Sequence, residues 1–444
     1  MPKLINFFLV LFALLSFNLA AAASYGLQFA DSSRTVRLHW KKNRIPVALS
    51  TSLTLQNPGI MPQSDVEGAV RRSLETWEQI TNIKFEIVST DKQTVSPSGN
   101  FGDGVSLITI AQTPENLLLF GNETDEISAQ TRTFYNRQGF ISEADIVLNP
   151  YQQFSTDGSI GTYDLEATLT HEIGHLLGLD HSSVLGATMH ARQGKNGVYN
   201  LSAFASRTLA EDDITGIRAL YGTKSLEDNC CGTVVGKITQ ANGKAGKMSQ
   251  VWVEDADSGR IIGSVLTKSD GSFRFERLEA GNYRFYTQTD GKADVAMSEE
   301  LGEFEVEKGK TLNIIKKLRT AEKKISVQYA GFNGQISDLA VPLNGGKSYL
   351  IYIGGKNLDA ENLKIGFNSP HFSITPDSIT RHDYGSEVSV LSFEVKVDAE
   401  TPIGEYSIFV KSQNGARQFL VGGVTVENFL NPWSSYALPG INKE

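Results

Sequence analysis

The chain has 444 residues, 40% hydrophobic and 20% charged, with 41 Lys+Arg against 50 Asp+Glu for a formal net charge of −9. It is too long for one small core and too apolar to be disordered, so two or three globular domains are expected. The balance is mildly acidic without a basic run, which argues against a nucleic-acid partner, and the only cysteines, Cys230 and Cys231, cannot supply a disulfide framework.

The chain opens MPKLINFFLVLFALLSFNLAAAASYG. Lys3 gives a charged start, Phe7 to Leu15 an unbroken apolar run, and Ala20 to Ala23 a small-residue cleavage zone. Residues 1–23 therefore read as a signal peptide cut near Ala23, and the mature chain is expected to be secreted, extracellular or periplasmic. No later segment has the ~18 apolar residues of a spanning helix, so stable membrane insertion is not expected.

Residues 24–222 mix strand and helix patterns. IPVALS reads as a strand. Ser64 with Glu67 forms a capping-box pattern, and Val66, Val70, Leu74 and Trp77 follow at helical spacing. KFEIVS, VSLITIA, SAQTRTFYN and FISEADIVLNP read as strands of one sheet. A second helix begins near Asp164. A third begins at Thr208, with Glu211 in the capping position, and ends at Gly222. TKSLEDNCCG then reads as a linker over 223–231, so residues 24–222 are expected to fold alone. Adjacent Cα atoms lie about 3.8 Å apart, below the usual disulfide span, which leaves free thiols, a strained vicinal bond or intermolecular bridging open for the cysteine pair.

Downstream, short β-type runs alternate with turn signals such as NGK, DSG and AGN. GTVVGKI, SQVWVED, GSFRFERL and AGNYRFYTQ form a module over 232–319. After the polar RTAEKK, SYLIYIGGKNL, SVLSFEVKV and GEYSIFVK form another over 320–428, and 429–444 reads as a tail. The expected architecture is multidomain, an α+β domain with a mixed twisted sheet and three helices followed by two all-β sandwiches.

The chemistry lies in HEIGHLLGLDHSSVLGATMH, residues 171–190. His171 and His175 are four apart on the second helix, so both imidazoles can reach one ion. Leu165, Leu169, Ile173 and Leu176 lie opposite them and can be buried. Gly178 falls where the helix must stop, and a left-handed glycine turns the chain so that His181 approaches the same ion. Three neutral imidazoles leave a fourth position for water, as in a catalytic zinc site. One zinc ion is thus expected, lowering the pKa of bound water toward about 7 and polarising a carbonyl. Glu172 stands beside the ligands as general base.

The longer pattern, HExxHxxGxxH followed by Met189, resembles the metzincin zinc endopeptidases. It is most similar to their matrixin (M10-type) branch, on Ser182 after the third histidine, Met189 eight residues beyond it, and LAEDDITGIRALYG over 209–222. The resemblance implies a secreted zinc metalloendopeptidase acting on protein or peptide substrates. Met189 would form a hydrophobic Met-turn floor under the metal. Asp212 and Asp213 would tie the last helix to that turn and to the mature N-terminus, and SAQTRTFYN would be the edge strand on which an extended substrate pairs. No cysteine precedes His171 to act as a latency switch, and no clear motif for calcium or further zinc stands between Phe101 and Asn149. Ala191 occupies the place where astacins carry a tyrosine ligand. His190 is read as a turn or surface residue, and Asp145 as a solvated or capping carboxylate and not a metal ligand.

KSDGSFRFERLEAGNYRF resembles a carboxypeptidase regulatory-like, transthyretin-like sandwich; GGKNL and ETPIGEYSIFV resemble an Ig-like or IPT-type domain. Such folds imply a surface or matrix partner only by analogy, and their deletion is expected to leave short-peptide turnover unchanged. The alternative reading is a catalytically inactive adhesion or matrix-binding protein on the same domains.

Overall fold

The structure, a computed structural model, describes residues 26–427 apart from 56, 100, 122–126, 203, 206, 223–229, 290–297, 320–324, 359–362, 384–387, 414 and 416. The signal segment, the tail and most of the linker and of RTAEKK lie outside the described residues. No helix among the described residues is long and apolar enough to cross a membrane.

The first module runs β1 (His39–Trp40), β2 (Arg44–Ser50), α1 (Val66–Ile80), β3 (Lys84–Thr90), β4 (Ser106–Thr109), the one-turn α2 (Pro114–Leu117), β5 (Ala129–Tyr135), β6 (Phe140–Leu148), the short pair β7 (Phe154–Ser155) and β8 (Tyr163–Asp164), α3 (Leu165–Leu176) and α4 (Glu211–Tyr221). Its sheet is mixed, in the order β1-β6-β4-β2-β3, with β5 antiparallel on β6. α1 and α3 pack on each other. Trp77 Nε1 donates to Thr170 O at 2.9 Å and Ser73 Oγ to Glu166 O at 2.9 Å, so two buried polar groups of α1 fix its neighbour's position.

Two helix starts differ from the sequence pattern. α1 is capped by Asp65, whose carboxylate accepts from the Gly68 N–H at 3.0 Å, not by Ser64. α4 begins at Glu211, after Ala210, whose N–H donates to Asp213 at 3.0 Å. Thr208 is drawn away because its carbonyl accepts from the Thr188 hydroxyl at 2.8 Å. Cys230 and Cys231 are disulfide-bonded to each other, with Cα atoms 3.7 Å apart.

The second module has β9 (Cys231–Thr239), β10 (Gln250–Asp255), β11 (Ile261–Leu266), β12 (Ser272–Glu279), β13 (Gly281–Gln288), β14 (Ser298–Val306) and β15 (Thr311–Lys317). They form the sheets β11-β10-β13-β14 and β12-β9-β15, with Val234, Phe273, Phe275, Phe285 and Ile314 buried. The third has β16 (Ser326–Phe332), β17 (Gln335–Ser337), β18 (Val341–Leu343), β19 (Ser348–Lys356), β20 (Leu363–Phe367), β21 (Phe372–Ile374), β22 (Thr380–His382), β23 (Ser389–Val397), β24 (Gly404–Ser412) and β25 (Arg417–Val426). Its sheets are β17-β16-β19-β23-β21, with β22 also on β23, and β18-β25-β24-β20.

These modules are not strung apart. α4 lies on the second module, where Thr215 Oγ1 donates to Ile262 O at 2.8 Å and Arg218 pairs with Glu279 at 2.8 Å. The apolar cores of the first and second modules are one continuous cluster. At a three-way junction Val184, Ala187 and Ala210 pack with Trp252, Ile261 and Tyr286 of the second module and Phe409, Phe419 and Val421 of the third. Apolar surface around Val184, Ala187 and Ala210 is thereby covered by strands of the later modules.

Candidate metal centre

α3 carries the first two histidines because its sequence has a cap, an apolar back and a stop in the right places. Asp164 caps it, accepting from the Ala167 N–H at 2.9 Å, and Arg207 pairs with that carboxylate at 2.7 Å. Leu165, Leu169, Ile173 and Leu176 are buried. Gly178 follows the helix with φ of 101°, and a Cβ there would meet Leu38 O at 2.4 Å, so a side chain is excluded on two counts. The returning strand is pinned by the N-terminal segment: Gln28 N donates to Gly178 O at 2.9 Å and Asp180 N to Gly26 O at 2.6 Å.

This brings His171, His175 and His181 together. Their ligand atoms form the one cluster of three or more metal-capable side chains found among the described residues. His175 Nε2 is 3.1 Å from His171 Nε2 and 3.2 Å from His181 Nε2. His171 Nδ1 lies 2.7 Å from Thr188 O and His175 Nδ1 2.8 Å from Leu179 O. A carbonyl only accepts, so each Nδ1 carries the proton and donates, and each Nε2 presents a lone pair. Lone pairs converging at this distance repel unless a cation sits among them. Tetrahedral zinc with Zn–N of ~2.0–2.1 Å would hold its nitrogens about 3.3 Å apart, so the donor set fits the ion. Burial first, then neighbouring histidines, push His171 well below the usual range, and burial lowers His175 to about 4 and His181 as well. All three are therefore neutral ligands at pH 7.

Glu172 lines the same cleft, of about 410 Å³, with the histidines, Gln130, Thr131, Ala191 and Gln193. It is 3% exposed, and burial raises its carboxyl to about 7 against a hydrogen bond that lowers it. That bond comes from Thr131 Oγ1 on β5, 2.5 Å from Oε2. The partner was not legible in the sequence, where Thr131 is an ordinary strand threonine. β5 itself lies at the sheet edge, paired only with β6 among the described residues.

Met189 is buried beside α3, where Gly174 makes room: a Cβ at 174 would come within 2.3 Å of the Met189 sulfur. Asp213 holds this turn, accepting from Thr188 N at 2.8 Å and Met189 N at 3.1 Å. Burial and then the Asp212 charge push it up to about 7, against those backbone donors. Asp212 reaches neighbouring segments of the chain on both sides, while the mature N-terminus lies outside the described residues. Asp212 accepts from Ser182 Oγ at 2.5 Å and from Ser264 N of the second module. His190 does not join the metal cluster. Asp145 is fully buried and accepts from Ser96 N and Leu107 N, each at 2.9 Å, so it is structural but not solvated.

Residues 119–222 match the family model described as Matrixin. The chain carries a matrixin domain. The matrixin match begins after α2, so β1 to β4 and α1 precede it. Relatives include the hatching enzyme of Paracentrotus lividus, 28% identical over 45% of this chain and 28% of its own length, and stromelysin-2 of Rattus norvegicus, 28% identical over 43% and 34%. Metalloendoproteinase 1 of Glycine max is 30% identical over 35% and 45%. The chain thus spans less than half of each of these curated relatives. Matrixins are zinc metalloproteases at the family level, and the cluster of His171, His175 and His181 is consistent with a zinc site.

Proposed function

We propose that the protein is a secreted zinc endopeptidase, with His171, His175 and His181 as ligands and Glu172 as general base. The observation that carries this reading is the convergence of three neutral Nε2 atoms beside a buried carboxyl balanced near neutrality. Zinc bound there supplies Lewis acidity that activates water near neutral pH. The chain's own residues do the rest. Glu172, held by Thr131, takes a proton at its carboxylate and returns it to the leaving amine, which a pKa of about 7 permits in both directions. The free side of β5 offers backbone groups to an extended peptide, the β-augmentation mode of recognition. The substrate class is accordingly protein in extended conformation. Retention of Glu172 and all three histidines weighs against the inactive adhesion protein.

Secretion follows from the N-terminal pattern, and the exported form is expected to begin just after Ala23, checked by N-terminal sequencing. We read the two β modules as transthyretin-like and Ig- or IPT-like sandwiches that present a surface to matrix partners.

The deciding experiment measures zinc after dialysis and cleavage of casein by the same sample. Wild type should hold about one zinc per chain and cleave. Glu172→Gln should keep the zinc and lose cleavage by the roughly 10²–10⁴-fold of a missing general base. His181→Ala should lose both together, with partial recovery at high zinc. Near-normal cleavage by Glu172→Gln removes the mechanism, whatever its metal content.

A further inference from the structure

The segment between the Met-turn and α4 touches two different parts of the molecule. At its start Ala191 and Gln193 wall the cleft that holds the histidines and Glu172. Gln193 Oε1 accepts from Ser128 Oγ at 2.9 Å and Thr168 Oγ1 at 3.2 Å, and Asn196 exchanges backbone hydrogen bonds with residues 161 and 162. A few residues on, the segment leaves its own module. Tyr199 is fully buried inside the apolar core of the third module, with Val198, Leu201 and Phe204 packed around it.

The insertion is specific in its polar contacts. The Tyr199 hydroxyl donates to Leu339 O at 2.9 Å and lies 2.7 Å from Ser337 Oγ. Its backbone N–H donates to Gln335 Oε1 at 2.7 Å, and its carbonyl accepts from Asn333 Nδ2 at 2.8 Å. Tyr199 and Asn200 both have left-handed φ, 55° and 59°. An aromatic residue adopts that backbone only where its surroundings over-determine it. Here the surroundings belong to another module.

We propose that Tyr199 is a positioning residue of the substrate cleft. Through it the third module holds the segment that carries the wall residues Ala191 and Gln193, which makes that module part of the substrate-binding apparatus. A wall held from outside affects how well substrate is retained more than how fast the bound substrate reacts. The variant should therefore separate KM from kcat. The catalytic consequence rests on the peptidase reading; the anchoring does not.

The test uses the full chain. Asn333 and Gln335 are exposed, so Asn333→Ala with Gln335→Ala removes the grip on the Tyr199 backbone without emptying a core. Tyr199→Phe removes the hydroxyl contacts and keeps the ring. Hydrogen exchange over 190–204, zinc content, and kcat and KM on a short peptide are measured together. We expect exchange over 190–204 to accelerate about tenfold in the double variant, with zinc unchanged. KM should rise about three- to tenfold with kcat within about twofold, and Tyr199→Phe should give a smaller effect in the same direction. Wild-type exchange in both variants overturns the anchor. Faster exchange with unchanged KM, or parallel loss of zinc and kcat, overturns the substrate role. If wild type binds zinc yet cleaves nothing, the peptidase reading and with it the substrate role fall, while the exchange data still decide whether the third module holds this segment.

Discussion

Glu172 is poised between two opposing influences, burial that favours its neutral form and the Thr131 hydroxyl that favours its anion. Removing the hydroxyl without changing shape isolates the second. Thr131→Val should raise the pKa of Glu172 further above its value of about 7. The acid limb of the pH–activity profile, which reports ionisation of the base, should then move to higher pH. A profile that coincides with wild type would mean that Thr131 does not tune the base. At this scale the sequence was informative only where residue offsets fix geometry. Helical periodicity puts His171 and His175 on one face, and Gly178 reads as a helix stop. Thr131 lies 41 residues before Glu172 and joins it only through sheet packing. Tyr199 carries no local signal either, since its backbone costs about 1–2 kcal/mol in isolation and is tolerated because of partners more than a hundred residues away.

α3 shows how one element serves packing and chemistry together. One side receives Trp77 and Ser73 of α1, another faces the cleft, and at Gly174 the Met189 sulfur fits where a β-carbon would stand. Gly174→Ala forces Met189 and the nearby Trp77 ring to shift. The expected loss is about 1–3 kcal/mol, the usual cost of overpacking a core. It is read from chemical denaturation of the zinc-loaded protein, and full stability in that variant would show that the methionine has slack. Elements of this kind were legible as alternating or helical patterns, and all five strands read in the first module are present. Their exact starts were less so. Ser64 looks as good a cap as Asp65 and Thr208 a better one than Ala210, and only the positions of Gly68, Thr188 and Asp213 decide between them.

Across the whole molecule, the junction of three modules buries charge as well as apolar surface. Glu405 on β24 is 6% exposed beneath the 184–187 turn, with no partner recorded for its Oε2 among the described residues. Burial, then the charges of Asp213, Glu427 and Asp212, hold its carboxyl well above 4.5. The folded chain therefore keeps a proton that the unfolded chain gives up near 4.5, so this contribution to stability is complete below that pH and is lost as pH rises. The melting temperature should fall as pH rises above about 4.5, and Glu405→Gln, neutral throughout, should flatten the slope. An equal slope in the variant would assign the effect elsewhere. None of this junction was visible in the sequence, which shows apolar alternation within each module but not which of its faces meets another. The junction also orders events in time. The three histidines and Glu172 are synthesised by residue 181, yet the strands that enclose Tyr199 and cover Val184 extend to Val426. A ribosome must therefore add more than two hundred residues before the cleft wall has its support. A chain cut short within that interval carries the metal ligands without the enclosure, and its 184–202 segment is expected to be cut sooner by added protease than in the full chain.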